Sequence, residues 1–226
     1  MCQSCQVTLE ATLFDMDGLL IDSEILWHKA EVEIFGALGV PLTQEQDRTT
    51  KGMFVAEVVD YWYSRYPWST PSREEVVREL LHRVGSLVES EGRLLPGALH
   101  ALDLASARGP IALASSTPAS LIKRCLDHFA LASRFATVHS AEFEPYGKPH
   151  PGVFLSAAAS LGIDPRRCLV FEDSAAGVLA AKAGRMTVVA VPVPEDLAQP
   201  AFVLADLLLT SLEDLDVRWL DAQFEA

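Results

Sequence analysis

The sequence predicts an α/β protein, a Rossmann-like parallel sheet core with an inserted helical cap domain. Two patterns carry that reading. Short β-rich runs recur along the chain, each followed by a turn and then a helical period; they are apolar throughout, as strands covered on both faces are. One long interval, from Ser23 to about Gly92, holds helical periods and no such run.

The runs at 11–14, 111–114, 137–138, 168–171 and 187–191 end at Asp15, at Ser115, near His139, at Glu172 and at Pro192. A run at 207–209 makes a sixth strand at the edge. Between them, Leu121, Ile122, Cys125, Leu126 and Phe129 mark one helix, 153–161 a second, and a third begins after Ser174. In the interval without strands, one stripe is Leu26, Ala30, Ile34 and Leu38, and another is Phe54, Val55, Val58, Val59 and Trp62. A third stripe, Val76, Leu80, Val84 and Leu87 with Val77, Leu81 and Val88 beside it, follows Ser72-Arg73-Glu74-Glu75, a capping box. The expected division is a core of residues 1–22 and 96–226 and a helical cap of residues 23–95, closed at Leu95-Pro96-Gly97. Trp62, Tyr63, Tyr66 and Trp68 read as the core of that cap, whereas Trp27 and His28 face either the cap core or the pocket.

Composition excludes several function classes. A chain of 226 residues buries about 70 % of its unfolded surface and needs neither disulfide nor metal for stability. With 18 Lys+Arg against 31 Asp+Glu the net charge is −13, which disfavours loose binding to nucleic acid or to an anionic membrane. The first ten residues have no basic start and no apolar run, unlike a signal peptide. No stretch reaches the ~18 apolar residues of a membrane span. The expectation is a cytoplasmic monomer. Cys125 and Cys168 read as small core residues; Cys2 and Cys5, with no second pair nearby, read as tail.

The chemistry lies at the strand ends. In an open parallel sheet, ligands sit beyond the carboxyl ends of the strands, where Asp15, Asp17, Ser115, Glu172 and Asp173 converge with Lys148 from a loop. Carboxylates this dense repel one another, and a hard cation such as Mg²⁺ is the simplest compensation. Ser115 and Lys148 are then left to grip an anion. Metal, lysine, hydroxyl and a spare carboxylate together make a phosphoryl-transfer site. His150 reads as an exposed loop histidine.

Four segments resemble the haloacid dehalogenase-like (HAD) phosphatases in family order. They are Phe14-Asp15-Met16-Asp17-Gly18, Ser115, Gly147-Lys148-Pro149 and Phe171-Glu172-Asp173-Ser174, and the resemblance spans residues 9–212. The helical interval resembles the family's type-one cap. The stretch from Trp62 to Trp68, followed by Pro71-Ser72-Arg73, resembles the 2-deoxyglucose-6-phosphatase and hexitol phosphatase branch. The resemblance implies a Mg²⁺-dependent phosphatase acting on hexose, deoxyhexose or hexitol phosphates through an aspartyl-phosphate. It makes Asp15 the nucleophile and Asp17 the general acid and base. Ser115, Ser116 and Lys148 hold phosphate, and the metal sits on Asp15, the Asp17 carbonyl and Asp173, with Glu172 beside it. The alternative is a sugar-phosphate mutase of the β-phosphoglucomutase type, which shares core and cap. Trp27 and Val55 stand where that pattern has a histidine and an arginine, though Lys51 or Arg65 could supply the charge. A receiver-like regulator is about half this length and has no helical cap, and dehalogenases lack the second aspartate.

Overall fold

The computed structural model describes residues 8–42, 50 and 53–225; the Cys2 and Cys5 pair and Lys51 lie outside them. Six strands form one parallel sheet: β1 Ala11–Phe14, β2 Ile111–Ser115, β3 Thr137–Ser140, β4 Cys168–Glu172, β5 Thr187–Ala190 and β6 Leu207–Leu208. Their order is β3-β2-β1-β4-β5-β6, so the direction of winding reverses at β1 and β4, and a crevice opens between their carboxyl ends. Register fixes that edge: Phe14 pairs with Leu113 on one side and Phe171 on the other, and the Asp15 amide donates to the Phe171 carbonyl at 3.1 Å.

The apolar runs divide their side chains between two faces, as period-two geometry requires. Leu13, Ala112, Ala114, Cys168, Val170 and Val188 point to one face, where α6 (Gly152–Leu161) and α7 (Ala175–Ala183) pack. Phe14, Ile111, Leu113, Leu169, Phe171 and Val189 point to the other, under α4 (Ala98–Ser106) and α5 (Ala119–His128). Phe14 and Phe171 stack across β1 and β4 with centroids 4.8 Å apart. Cys125 and Cys168 are free and buried, and burial pushes each thiol up to about 12, which suits inert packing residues.

Between β1 and β2 lies the helical insertion, with α1 (Glu24–Ala37), α2 (Val55–Arg65) and α3 (Arg73–Glu91). The expected stripes point inward: Leu26, Ala30 and Ile34, then Val55, Val58, Val59 and Trp62, then Val76, Leu80, Val84, Leu87 and Val88 are all buried, and Leu38 packs beside them half-buried; Phe54, expected in the second stripe, instead precedes α2 and packs against the cluster on the other face of the sheet. Trp62 is buried, with Phe35 and Tyr66 at 6.3 Å and Tyr61 at 5.1 Å, so the aromatic cluster is packing rather than a ligand platform. Two chain crossings tie the insertion to the sheet, and they pair with each other: the Asp22 amide donates to Arg93 and the Leu95 amide to Leu20. Its apolar side chains form one continuous cluster with the α4/α5 face of the sheet, through Met16, Leu19, Leu20 and Ile21.

Strand boundaries differ from expectation by one or two residues: β2 and β4 take in Ser115 and Glu172, one residue past their runs. β3 runs on to Ser140, two residues past the run 137–138, because only its carboxyl end meets the core. β5 and β6 each stop one residue earlier than expected. A further helix, α8 (Val217–Phe224), carries only one buried apolar residue, Leu220, and is held by Arg108 against Asp221, a pattern too sparse to announce itself.

The capping box forms as expected: the Ser72 hydroxyl accepts from the Glu75 amide at 3.3 Å, and the Glu75 carboxylate accepts from the Ser72 amide at 2.7 Å. Ser72→Ala should lower stability by about 1 kcal/mol and Leu80→Ala by about 2–5 kcal/mol, read as shifts in the urea midpoint at constant slope.

Candidate active site

The crevice at the carboxyl ends of β1, β2 and β4 is a cavity of about 120 Å³. Every site residue expected from the sequence lines it: Asp15, Asp17, Ser115, Ser116, Lys148, Glu172 and Asp173. The insertion adds Glu24, Trp27, Glu31, Thr50, Met53, Val55 and Val58.

Lys148 sits at the centre. Its ammonium donates to Asp15 Oδ1 at 2.6 Å and to Glu172 Oε1 at 2.5 Å, and lies 4.7 Å from the Phe154 ring centroid. The lysine side chain is 3 % exposed, that of Asp15 8 % and that of Glu172 0 %. The Asp15 carboxyl is pushed up to about 7, chiefly by burial and further by Glu172 and Asp17, against the pull of Lys148. Burial also disfavours the ammonium, but Asp15 and Glu172 outweigh it and hold the lysine above its ordinary range. It is therefore a fixed cation.

Asp17 is gripped from two sides. Its Oδ1 accepts from Ser23 Oγ at 2.6 Å and from Trp27 Nε1 at 3.3 Å, both at the start of the insertion. Its Oδ2 accepts from Thr117 Oγ1 at 2.6 Å, just past β2. Gly18 makes the turn possible: its φ is +73°, and a Cβ there would lie 2.5 Å from Asp173 Oδ2. The same glycine therefore lets the chain leave β1 and brings Asp173 against the first motif. On the far side, Glu172 Oε2 accepts from the Ser174 amide at 2.7 Å and its hydroxyl at 2.9 Å, over Gly177, where any Cβ would overlap the carboxylate.

The metal was expected on Asp15, the Asp17 carbonyl and Asp173, with Glu172 beside it; among the described residues no three acidic, histidine or cysteine side chains already form a metal cluster. The reason lies in the hydrogen bonds. Asp17 turns its carboxylate to Ser23, Trp27 and Thr117, and Glu172 commits one oxygen to Lys148 and the other to Ser174. The Asp15 and Asp173 carboxylates and the Asp17 main-chain carbonyl offer oxygen alone. They fit a small hard cation that keeps water or substrate oxygens in its other positions.

The hydroxyls complete the site. Ser115 Oγ accepts from the Thr117 amide at 3.1 Å. Ser116 Oγ is buried in the cavity with no hydrogen-bond partner, so it is a donor left for a ligand. The sequence reading missed Thr117, although its hydroxyl follows the second motif directly. It left Trp27 open between core and pocket; the residue serves both, lining the cavity and packing half-buried against the apolar cluster of the insertion. His150 is exposed, and its Nδ1 accepts from the Gly152 amide at 3.1 Å. Arg65 stacks on the Tyr61 ring at 3.5 Å, away from the cavity.

An acidic pair leaving one central strand, a buried lysine between two carboxylates and hydroxyls at the next strand end define an α/β phosphoryl-transfer site. The chain belongs to the haloacid dehalogenase-like hydrolases, whose family model matches residues 9–185. It is 46 % identical over 210 residues to hexitol phosphatase B of Escherichia coli K12, covering 92 % of this chain and 95 % of that one. It is 32 % identical to a phosphorylated carbohydrates phosphatase of Thermotoga maritima, over 77 % of this chain and 81 % of that one. The structure is similar to β-phosphoglucomutase from Clostridium difficile, with a TM-score of 0.82 and 25 % identity over 96 % of this chain and 97 % of that one.

Removing Lys148 leaves two buried carboxylates facing each other. Lys148→Met should cost about 3–5 kcal/mol, the usual result of breaking a buried ion pair from one side. Urea unfolding at pH 7.5 measures it.

Proposed function

We propose that the protein is a Mg²⁺-dependent phosphatase that hydrolyses small sugar phosphates, hexose, deoxyhexose or hexitol, through an aspartyl-phosphate on Asp15. The observation that carries this reading is the buried Lys148 ammonium 2.6 Å from Asp15 Oδ1. Likeness to hexitol phosphatase B supports the substrate class.

An Asp15 carboxylate oxygen attacks phosphorus, the bond to the sugar oxygen breaks, and Asp17 gives that oxygen its proton. Water then attacks the phosphorus of the aspartyl-phosphate, Asp17 takes the proton, and Asp15 is returned with inorganic phosphate. Lys148 offsets the repulsion between the incoming phosphate and the nucleophile, while Ser115, Ser116 and backbone amides orient the phosphate oxygens. Glu172 keeps Lys148 in place. Mg²⁺, held by Asp15, the Asp17 carbonyl and Asp173, supplies further positive charge when bound. Residues 23–95 act as a cap that excludes water and large substrates, over a core of 1–22 and 96–226. The reading includes a cytoplasmic monomer with no nucleic-acid or membrane partner; among the described residues no helix is long and apolar enough to cross a membrane.

The fold shared with β-phosphoglucomutase keeps mutase activity as the second reading. Val55 lines the cavity where the mutase pattern has an arginine, Arg65 lies outside it, and among the described residues that line the cavity Lys148 is the only cation.

Asp15→Asn should lower phosphate release from a hexitol phosphate at least about a thousandfold while the fold persists. EDTA should abolish turnover and Mg²⁺ restore it; undiminished activity in EDTA would overturn the metal dependence. With glucose 1-phosphate and a trace of the 1,6-bisphosphate, inorganic phosphate should outpace glucose 6-phosphate; the reverse would make the enzyme a mutase.

A further inference from the structure

The insertion touches the loop that carries Lys148 through an aromatic side chain. Phe54 is the residue before α2, and its backbone is extended, with φ −62° and ψ 140°. Its amide donates to Glu57 Oε2 at 3.2 Å, which ties it to the first turn of the helix. The neighbours on either side, Met53 and Val55, line the cavity, whereas Phe54 turns away from it. Its ring lies on Gly147: a Cβ at that glycine would be 2.7 Å from one ring carbon and 3.1 Å from two more. Nothing larger than glycine therefore fits before Lys148 while the ring is in place.

Two apolar clusters cover the two faces of the sheet. Val55, Val58, Val59 and Trp62 of α2 belong to the cluster shared with α4 and α5. Among the described residues of the insertion, Phe54 alone packs against the other one, on the α6/α7 face. That cluster includes Phe154, whose ring centroid is 4.7 Å from the Lys148 ammonium. Lys148 is thus backed by Phe154, and the residue before it is covered by Phe54. The turn between them is closed by the His150 amide, which donates to the Gly147 carbonyl at 2.9 Å. A lysine stem is flexible, so the place of its main chain decides whether the ammonium meets Asp15 and Glu172 together.

We infer that Phe54 is a positioning residue for phosphoryl transfer: by packing on Gly147 it seats the Lys148 loop, so that docking of the insertion and placement of the ammonium between Asp15 and Glu172 go together. Phe54 does not line the cavity, so it acts through the loop rather than on the substrate. The inference rests on the phosphatase reading above and adds to it a mechanical link from the insertion to the nucleophile's counter-charge.

The test measures kcat and KM of the full-length enzyme on a hexitol 6-phosphate and on p-nitrophenyl phosphate, which share only the phosphoryl group. Urea curves give the folded fraction of each variant, so that kcat is taken per folded molecule. Phe54→Ala should lower kcat about ten- to a hundredfold on both substrates with KM within about threefold, the loss that a misplaced charge beside the reacting atoms brings. Phe54→Leu, which keeps apolar bulk, should recover most of it. Gly147→Ala, which pushes against the ring from the other side, should lose about as much as Phe54→Ala. Adding Phe54→Leu to Gly147→Ala should then regain turnover, because the smaller side chain makes room for the new methyl group. Lower stability with unchanged kcat would mean that Phe54 only supports the fold. A change confined to KM for the hexitol phosphate would make it a pocket wall, and further loss in the double variant would mean that ring and glycine act separately. Any of these three overturns the inference, and Gly147→Ala with unchanged kcat overturns it even where Phe54→Ala does not fold. Release of phosphate from neither substrate by the wild-type enzyme would instead remove the phosphatase reading, and this inference with it.

Discussion

Everything at the strand ends depends on one buried ammonium. Without the Lys148 charge, Asp15 and Glu172 could not both be ionised in a place that water scarcely reaches. With it, Asp15 keeps a carboxylate oriented at the crevice, although burial still pulls its proton affinity up to about 7. The surrounding structure serves that pairing. The stacked Phe14 and Phe171 set β1 beside β4, Gly177 leaves space for the Glu172 carboxylate, and Ser174 fixes its second oxygen. The nucleophile and the carboxylate that holds its counter-charge are thus arranged by backbone register, and Lys148 reaches both from a loop.

Asp17 is set up in a different way. Thr117 belongs to the sheet side of the crevice, whereas Ser23 and Trp27 belong to the first turn of the insertion, and all three donate to the same carboxylate. The apolar packing beneath is also shared, since Met16, Leu19, Leu20 and Ile21 lead the sheet's cluster into that of α1 to α3. The placement of the acid and base is therefore tied to the placement of the helices. The nucleophile is tied to the sheet and, through Lys148, to the loop after β3.

How much was legible in the sequence follows from which signals are local. Strands buried on both faces show as unbroken apolar runs, and polar residues that end such runs in a parallel sheet fall at one edge; Asp15, Ser115, Glu172 and Asp173 were readable for that reason. The stripes of α1, α2 and α3 were readable because three faces of the insertion are apolar at helical spacing. Other features depended on where helices pack. Trp27 could serve core or pocket equally well until its indole was seen to donate to Asp17. Glu31 lies one residue off the stripe of Leu26, Ala30 and Ile34, so its burial left no periodic trace. Thr117 is a hydroxyl after a strand, a common cap, and only the fold brings Asp17 within 2.6 Å of it.

The sheet order has a consequence for how the enzyme comes into being. β1 is central, yet Thr12 finds its partners at Ile111 and Leu169, far along the chain. A ribosome must therefore deliver the chain beyond Glu172 before the nucleophile's strand has neighbours on both sides. Closing loops of that span loses chain entropy that local contacts cannot repay in advance, so assembly is slow compared with the helices. The insertion, with its local contacts, has time to form while the sheet still waits. No shorter nascent fragment contains both Asp15 and the Glu172 that holds Lys148 beside it, so catalytic competence arrives with the last central strand rather than growing by degrees.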